Sequence, residues 1–279
     1  MLAVRIDWLA DQPNLNKAGI DSISQNMNAK IAPSVYGHLV DRYLFNFRVD
    51  ALTLHHRLPV KWLKPRLVNG YGVVSFCLLR LKGVTLWPLP TSMGIDSTSC
   101  AYRCAVTDAS GKQPEPSVYI LGRSTNIPIV SRLGTMLFSG DMRLIRTSIK
   151  HRFDHVDVQA SEVNGRKLFT AEIKPTGNLS SKLFDSIDAF VSFIKGGLSS
   201  YTPSTRAGHL SRVDLVEDSN SYRQVDANVD YSRLDEDWKS SGLEFDSAFH
   251  AIGGFYRLKY LGSIKGQIQL PEVQNVVKA

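Results

Sequence analysis

The sequence predicts an α+β protein dominated by antiparallel β structure: a large, partly closed β assembly with a few covering helices. Three observations carry this. Segments with strand signals outnumber those with helical period. They follow one another with hairpin-like connections. Strands and helices do not alternate, which argues against a doubly wound fold.

Residues 1–33 are polar and weakly periodic and read as an N-terminal arm, with one helix over 17–31. A single domain is expected over 34–270 and a tail over 271–279. In "YLFNFRVD", Tyr43, Phe45, Phe47 and Val49 alternate with Asn46, Arg48 and Asp50, the period of a half-buried strand. Asp50 can cap a helical turn in "ALTLHH". "LPVKWLKPRLVNGYG" is punctuated by Pro59, Pro65 and Asn69-Gly70 and reads as turns. "YGVVSFCLLRLKGV" is a near-continuous apolar run, hence a strand covered on both faces.

"WPLPTSMGI" is then a loop, "TSCAYRCAVTD" a strand, "ASGKQPEP" a turn, and "SVYILG" a strand paired with the one before. That strand is expected to break at Gly122 and expose a polar elbow, Arg123 to Asn126. "PIVSRLGTMLF" follows as a helix, with Pro128 in its first turn and Asn126 as its cap. "MRLIRTSIKHRFDHVDVQA" and "RKLFTAEIK" flank a hairpin turn at Asn164-Gly165. In "SSKLFDSIDAFVSFIKGG", Leu183, Ile187, Phe190 and Ile194 recur at helical spacing. Ser180 or Ser181 would cap that helix and Gly196 stop it. "HLSRVDLVED", "SYRQVDANVDYSRL" and "FYRLKYLG" supply further strands and connections.

At 279 residues and 43% hydrophobic, the chain can bury a sizeable core. No window reaches the run of roughly 18 apolar residues that a membrane helix needs. Arg5, Asp7 and Asp11 interrupt any signal-peptide core, so a soluble, cytoplasmic protein without membrane contact is expected. The net charge is +7 and the pI about 9.3. Lys and Arg are spread out, which points to a solvated basic surface and no specific nucleic-acid partner.

Cys77, Cys100 and Cys104 read as buried free thiols. Cys100 and Cys104 share a strand face about 13 Å apart, too far for one metal ion. His151 and His155 read as similarly separated on one strand. His155 and Asp157, about 7 Å apart by the same geometry, are only two ligands. No metal and no cofactor are therefore expected. The chain has no G-x-S-x-G, no G-x-G-x-x-G and no P-loop sequence.

What remains is a set of polar residues in otherwise apolar strands: Arg80, Tyr102, Arg103, Tyr119, Arg123, Glu172 and Lys174. A buried arginine is costly unless paired, and one aimed into a pocket can hold a carboxylate through two parallel hydrogen bonds. Arg123 stands out, because the helix beyond it adds backbone donors for an anion.

Several stretches together resemble YqjF-like proteins, a family of unknown function grouped with the acetoacetate-decarboxylase-like superfamily. They are "YLFNFRVDALTLHHRLPVKWLKPRLVNGYGVVSFCLLRLKGV", "AYRCAV", "VYILGRST", "SRLGTMLFSG" and "FDSAFHAIGGFYRLKY", within roughly residues 40–260. The resemblance implies a β-cone or double barrel with an internal cavity, and suggests homo-oligomers assembled through β surfaces. In the decarboxylases a G-R-E-x-x-G-x-P-K segment supplies a lysine that forms a Schiff base with a β-keto acid. Here "GRSTNIPIV" aligns Gly122, Arg123 and Pro128 with a one-residue gap. Ser124 stands for the glutamate, and Ile129 and Val130 stand where the lysine belongs. Isoleucine forms no imine, so decarboxylation by that route is not expected.

The leading expectation is a small-molecule-binding protein whose ligand is a hydrophobic carboxylate or carbonyl compound. Arg123 would hold the anionic group, Ser124 and Thr125 would donate hydrogen bonds, and Tyr102, Arg103 and Tyr119 would line the wall. The rival is a lyase, hydratase or cyclase using general acid–base groups, with Glu172 as base. Were imine chemistry to occur, it would fall to Lys174 or another lysine.

Overall fold

The computed structural model describes residues 34–266 except 139, 177, 218–220 and 239–240. The expected arm (1–33), its helix over 17–31 and the tail (271–279) lie outside the described residues.

In chain order the first strand is β1 (Ser34–Val49), followed by helix α1 (Ala51–His56), where Asp50 accepts from the Leu52 and Thr53 amides as expected. The turn-rich segment holds two short strands, β2 (Leu63–Pro65) and β3 (Leu67–Val68). Then come β4 (Tyr71–Leu86), a 3₁₀ turn at Thr91–Met93, β5 (Ile95–Asp108) and β6 (Glu115–Thr125). Helix α2 (Pro128–Phe138) leads to β7 (Met142–His151), β8 (Val156–Glu162) and β9 (Lys167–Pro175). Helix α3 (Ile187–Gly196) precedes β10 (Ser199–Pro203), β11 (His209–Glu217) and β12 (Ser221–Ser232). Helix α4 (Arg233–Asp237), β13 (Glu244–Ile252) and β14 (Phe255–Lys265) complete the order.

All the strands join one sheet, and it closes on itself twice. β1 pairs with β4 along its length, with β14 over Ser34–His38 and with β13 over Asp41–Arg48. β6 pairs in parallel with β10 at Ser117–Tyr119 and with β7 at Arg123–Thr125. One circuit therefore runs β1–β13–β12–β9–β8–β7–β6–β5–β4, and the other β1–β14–β11–β10–β6–β5–β4. The strands β6, β5, β4 and β1 form a wall common to both.

The shared wall explains the burial pattern. One face carries Phe45 and Phe76, and Phe169 of β9 stacks on Phe76 at 4.1 Å inside the larger circuit. The other face carries Leu44, Val73, Cys77 and Leu79, partly covered by α3, whose Phe190 stacks on Phe249 at 3.6 Å. β1 was expected to begin near Tyr43 and to be half-buried. It begins at Ser34, and both its faces are buried from Arg42 through Val49. Its polar residues are accommodated by partners: Arg48 pairs with Glu244, and Arg42 with Glu217 at 2.7 Å.

Other boundaries depart from expectation for local reasons. Asn126 does not cap α2, because its side-chain oxygen accepts from the Thr98 amide at 2.8 Å. α3 starts six residues late, capped by Ser186. Ser181 instead caps the turn before it, accepting from the Leu183 and Phe184 amides. Leu183 is buried there without belonging to the helix, while Ile187 lies exposed at its start. β10 and β13 were not anticipated as strands, and Arg233 and Leu234 open α4 rather than ending a strand, with Ser232, the last residue of β12, as the cap. The Asn164-Gly165 hairpin forms as read, with Gly165 at φ 90.

Candidate ligand-binding site

The smaller circuit encloses a cavity of about 290 Å³, roofed by α2 and by the segment around the 3₁₀ turn. Its walls are aliphatic, with Leu79, Leu81, Ile120 and Leu258 prominent. Polar groups interrupt them: Arg103 on β5, Arg123 on β6, Ser200 on β10 and Tyr256 on β14, with the hydroxyls of Thr85, Ser97, Ser99 and Ser124 also on the wall.

A bulge places Arg123 there. Across β5 and β6, Ala101 faces Arg123 and Tyr102 faces Gly122, but Arg103 faces Ile120, so Leu121 is the extra residue. An odd residue resets the alternation of faces. Ile120 and Arg123, three apart, consequently both line the cavity. Gly122 is thus part of a bulge within the strand, not its end. The expected exposed elbow is strand, with Ser124 and Thr125 buried.

Arg123 donates from Nη2 to Ser200 Oγ at 2.9 Å, and that hydroxyl donates on to the Val213 carbonyl at 2.9 Å. Arg103 has no hydrogen-bond or ion-pair partner for its guanidinium among the described residues, and its Nε is buried unpaired. Burial lowers the pKa of both, and in Arg123 the nearby Arg103 lowers it further. Burial raises the Tyr256 phenol, which keeps it a protonated donor. Arg42 and Arg48, by contrast, are matched by carboxylates. In Arg42 burial opposes the charge, but Glu217 outweighs it and lifts the pKa well above the ordinary range.

The remaining expected site residues are dispersed. Tyr102 and Tyr119 do not line the cavity. They face the larger circuit's core, where Tyr102 donates to the Leu168 carbonyl and burial pushes both phenols upward. Ser124 touches the cavity, whereas Thr125 hydrogen-bonds Ser97 at 3.0 Å. Arg80 pairs with Asp41, whose other oxygen meets His250 Nε2 at 2.8 Å, on the opposite face of β4. Glu172 and Lys174 pair at 2.7 Å on the outer face of β9. Neither reaches the cavity, so Glu172 is displaced as the base of the rival reading. Ser200 and Tyr256 were missed, since only closure of the smaller circuit brings β10 and β14 to the wall.

Among the described residues no lysine, histidine, aspartate or glutamate lines the cavity, and Ile129 and Val130 both do. Cys77, Cys100 and Cys104 are buried free thiols. His151 and His155 do not share a strand, because β7 ends at His151 and β8 begins at Val156. His155, Asp157 and Glu172 place ligand atoms within 4.8 Å of one another on the outer face. The third member escaped notice because it comes from the neighbouring strand, opposite Asp157. Asp154 holds His155 Nδ1 and Lys174 already occupies Glu172.

No protein-family model matches this sequence. No curated protein matches it either. Solved structures do match. Acetoacetate decarboxylase from Legionella pneumophila superposes with a TM-score of 0.61 at 11% identity, covering 83% of this chain and 88% of that one. An acetoacetate decarboxylase-like enzyme from Sphingomonas wittichii gives 0.53 at 12% identity, covering 85% and 95%. The enduracididine biosynthesis enzyme MppR, complexed with pyruvate, gives 0.53 at 11% identity, covering 85% and 91%. The double closure around a common wall is accordingly the acetoacetate-decarboxylase-like fold.

Proposed function

We propose that this protein binds a small hydrophobic carboxylate or carbonyl compound in the cavity of the smaller circuit, without attaching it covalently. The observation that carries the reading is the pair of guanidinium groups, Arg103 and Arg123, with no carboxylate partner in an otherwise apolar hollow. An anion entering there restores the missing partner, and the aliphatic walls take its apolar part. Tyr256 stands ready to donate to a carbonyl oxygen. The pyruvate bound by MppR is a ligand of this kind in a protein of the same fold.

In this reading the Schiff-base lysine is absent, its place taken by Ile129. Acid–base turnover is the less favoured alternative, because no carboxylate or imidazole among the described residues lines the cavity. The YqjF-like kinship, a cytoplasmic setting and a homo-oligomeric state belong to the same reading. No helix among the described residues is long and apolar enough to cross a membrane. The test is calorimetric titration with 2-oxooctanoate, comparing wild type with Arg123→Met. Wild type should bind, and the variant should lose at least about tenfold, the ~1.4 kcal/mol that one charged hydrogen-bonding group supplies. Equal binding by the two proteins removes Arg123 from its role.

A further inference from the structure

Resting on that reading, we infer that the natural ligand is an amphiphile: a head with two negative charges held by Arg103 and Arg123, and an apolar chain running to the cavity mouth. Charge balance is the first argument. The carboxylate that lines the same small void as Arg103 is Glu217, and it is already engaged. Arg42 Nη1 lies 2.9 and 2.7 Å from its two oxygens, and the Tyr222 hydroxyl donates to it at 2.9 Å. A singly charged head would neutralise one guanidinium and leave its neighbour buried and unmatched. That neighbour would still repel the first, at a cost the interior does not absorb.

Geometry is the second argument. Ala101 stands directly across from Arg123, and Arg103 lies two residues further on the same face. The two are diagonal neighbours, about 7 Å apart at the backbone. Side chains that long can converge on one phosphate or on two carboxylates of a single head. Arg103 also opens onto a second, polar void of about 40 Å³, lined with Arg42, Arg66, Ser75 and Glu217, the last of these paired with Arg42. Arg66 donates to the Phe193 carbonyl at 3.0 Å, and no ion pair neutralises it among the described residues. The inner end of the cavity is therefore far more cationic than one carboxylate requires.

The third argument concerns the other end. At roughly 30 Å³ per water-sized group, about 290 Å³ holds about ten such groups, a head plus a chain of several carbons. The lining then continues outward through apolar side chains that remain exposed: Met93 at 68%, Ile129 at 53% and Leu133 at 40%. An apolar collar above a cationic floor fits a chain that leaves by the mouth.

The experiment titrates the full chain calorimetrically at pH 8 in Tris with decanoate, octyl phosphate and octylmalonate, each below its micelle concentration. A phosphate monoester is doubly charged there, its second pKa being about 6. At least one dianion should bind about tenfold or more tighter than decanoate, and the better one tells whether the two charges sit on phosphorus or on separate carboxylates. Arg103→Met should bring dianion and monoanion to within about threefold of each other. Equal affinity of all three probes for wild type overturns the inference and leaves the proposed function standing. So does a variant that keeps the dianion preference. If none of the probes binds, the proposed function falls and this inference with it.

Discussion

Replacing Arg103 by methionine should stabilise the ligand-free protein, the reverse of what most substitutions in a strand core do. Arg103 sits in the shared wall with its Nε buried and unpaired. An unmet buried donor costs about 1–3 kcal/mol. Arg123, on the same face, adds repulsion of about 2 kcal/mol at ~7 Å and an effective dielectric constant of ~20. Methionine keeps most of the stem that packs beside Ala101 and Ala105 and removes both penalties. Water in the cavity relieves part of them in the wild type, so the net gain should be about 1–3 kcal/mol. For a domain of this size that corresponds to a melting temperature higher by about 2–6 °C. The assay is a thermal melt followed by circular dichroism in Tris without phosphate or carboxylate buffers, since such anions would occupy the site and stabilise the wild type. A melting temperature lowered by more than a few degrees would mean that the guanidinium has a partner in the folded protein. The argument from unmatched charge would then fail.

Two further outcomes are expected. Sodium borohydride added to wild type with 2-oxooctanoate should give no adduct in intact-mass analysis, whereas Ile129→Lys, which brings an amine to the wall of the same cavity, should give one; trapping in the wild type would restore imine chemistry. Asp41 is buried, which raises its pKa, but the His250 hydrogen bond and Arg80 more than offset this, so its folded pKa ends below 3.8. A depressed carboxylate stabilises the fold above its unfolded pKa and loses that contribution as pH falls through the folded one. Asp41→Asn should therefore cost about 2–3 kcal/mol in urea melts at pH 7, toward the low end for a buried pair because Arg80 is partly solvated. The gap from wild type should close below about pH 3.8, and a gap that persists undiminished there would rule out the ionised carboxylate as its source.

Much of the fold was legible because several signals are local. The apolar run of β4, the Asp50 cap and the Asn164-Gly165 turn each depend on a few neighbouring residues. The site was less legible, because its geometry depends on parity and closure. Gly122 looked like a strand end and is part of a bulge, and that bulge alone puts Arg123 on the face of Ile120. Tyr102 and Arg103 could have been separated beforehand, since consecutive strand residues point to opposite faces and cannot both line one wall. Ser200 and Tyr256 carry no local mark. They reach the cavity through pairings as distant as Ser34 with Lys259 and Ser117 with Ser199, which no short window contains.

The shared wall gives a way to sort polar residues that the sequence presents as equals. A strand common to two closed circuits has no solvent face, so every polar side chain along it needs a partner or remains a cost. Arg42, Arg48 and Arg80 each reach a carboxylate supplied by another strand: Glu217, Glu244 and Asp41. Those arginines explain themselves as structure, since removing either member of a pair would strand the other. Arg103 and Arg123 sit in the same kind of strand with no such carboxylate, and they are also the arginines that line the larger cavity. A fold maintained for stability alone would carry apolar residues at those two positions, as the gain expected for Arg103→Met expresses. On the function proposed above, the cost of keeping them is offset when an anion is bound. On that proposal, the same wall separates arginines that hold the barrel together from arginines that receive a ligand.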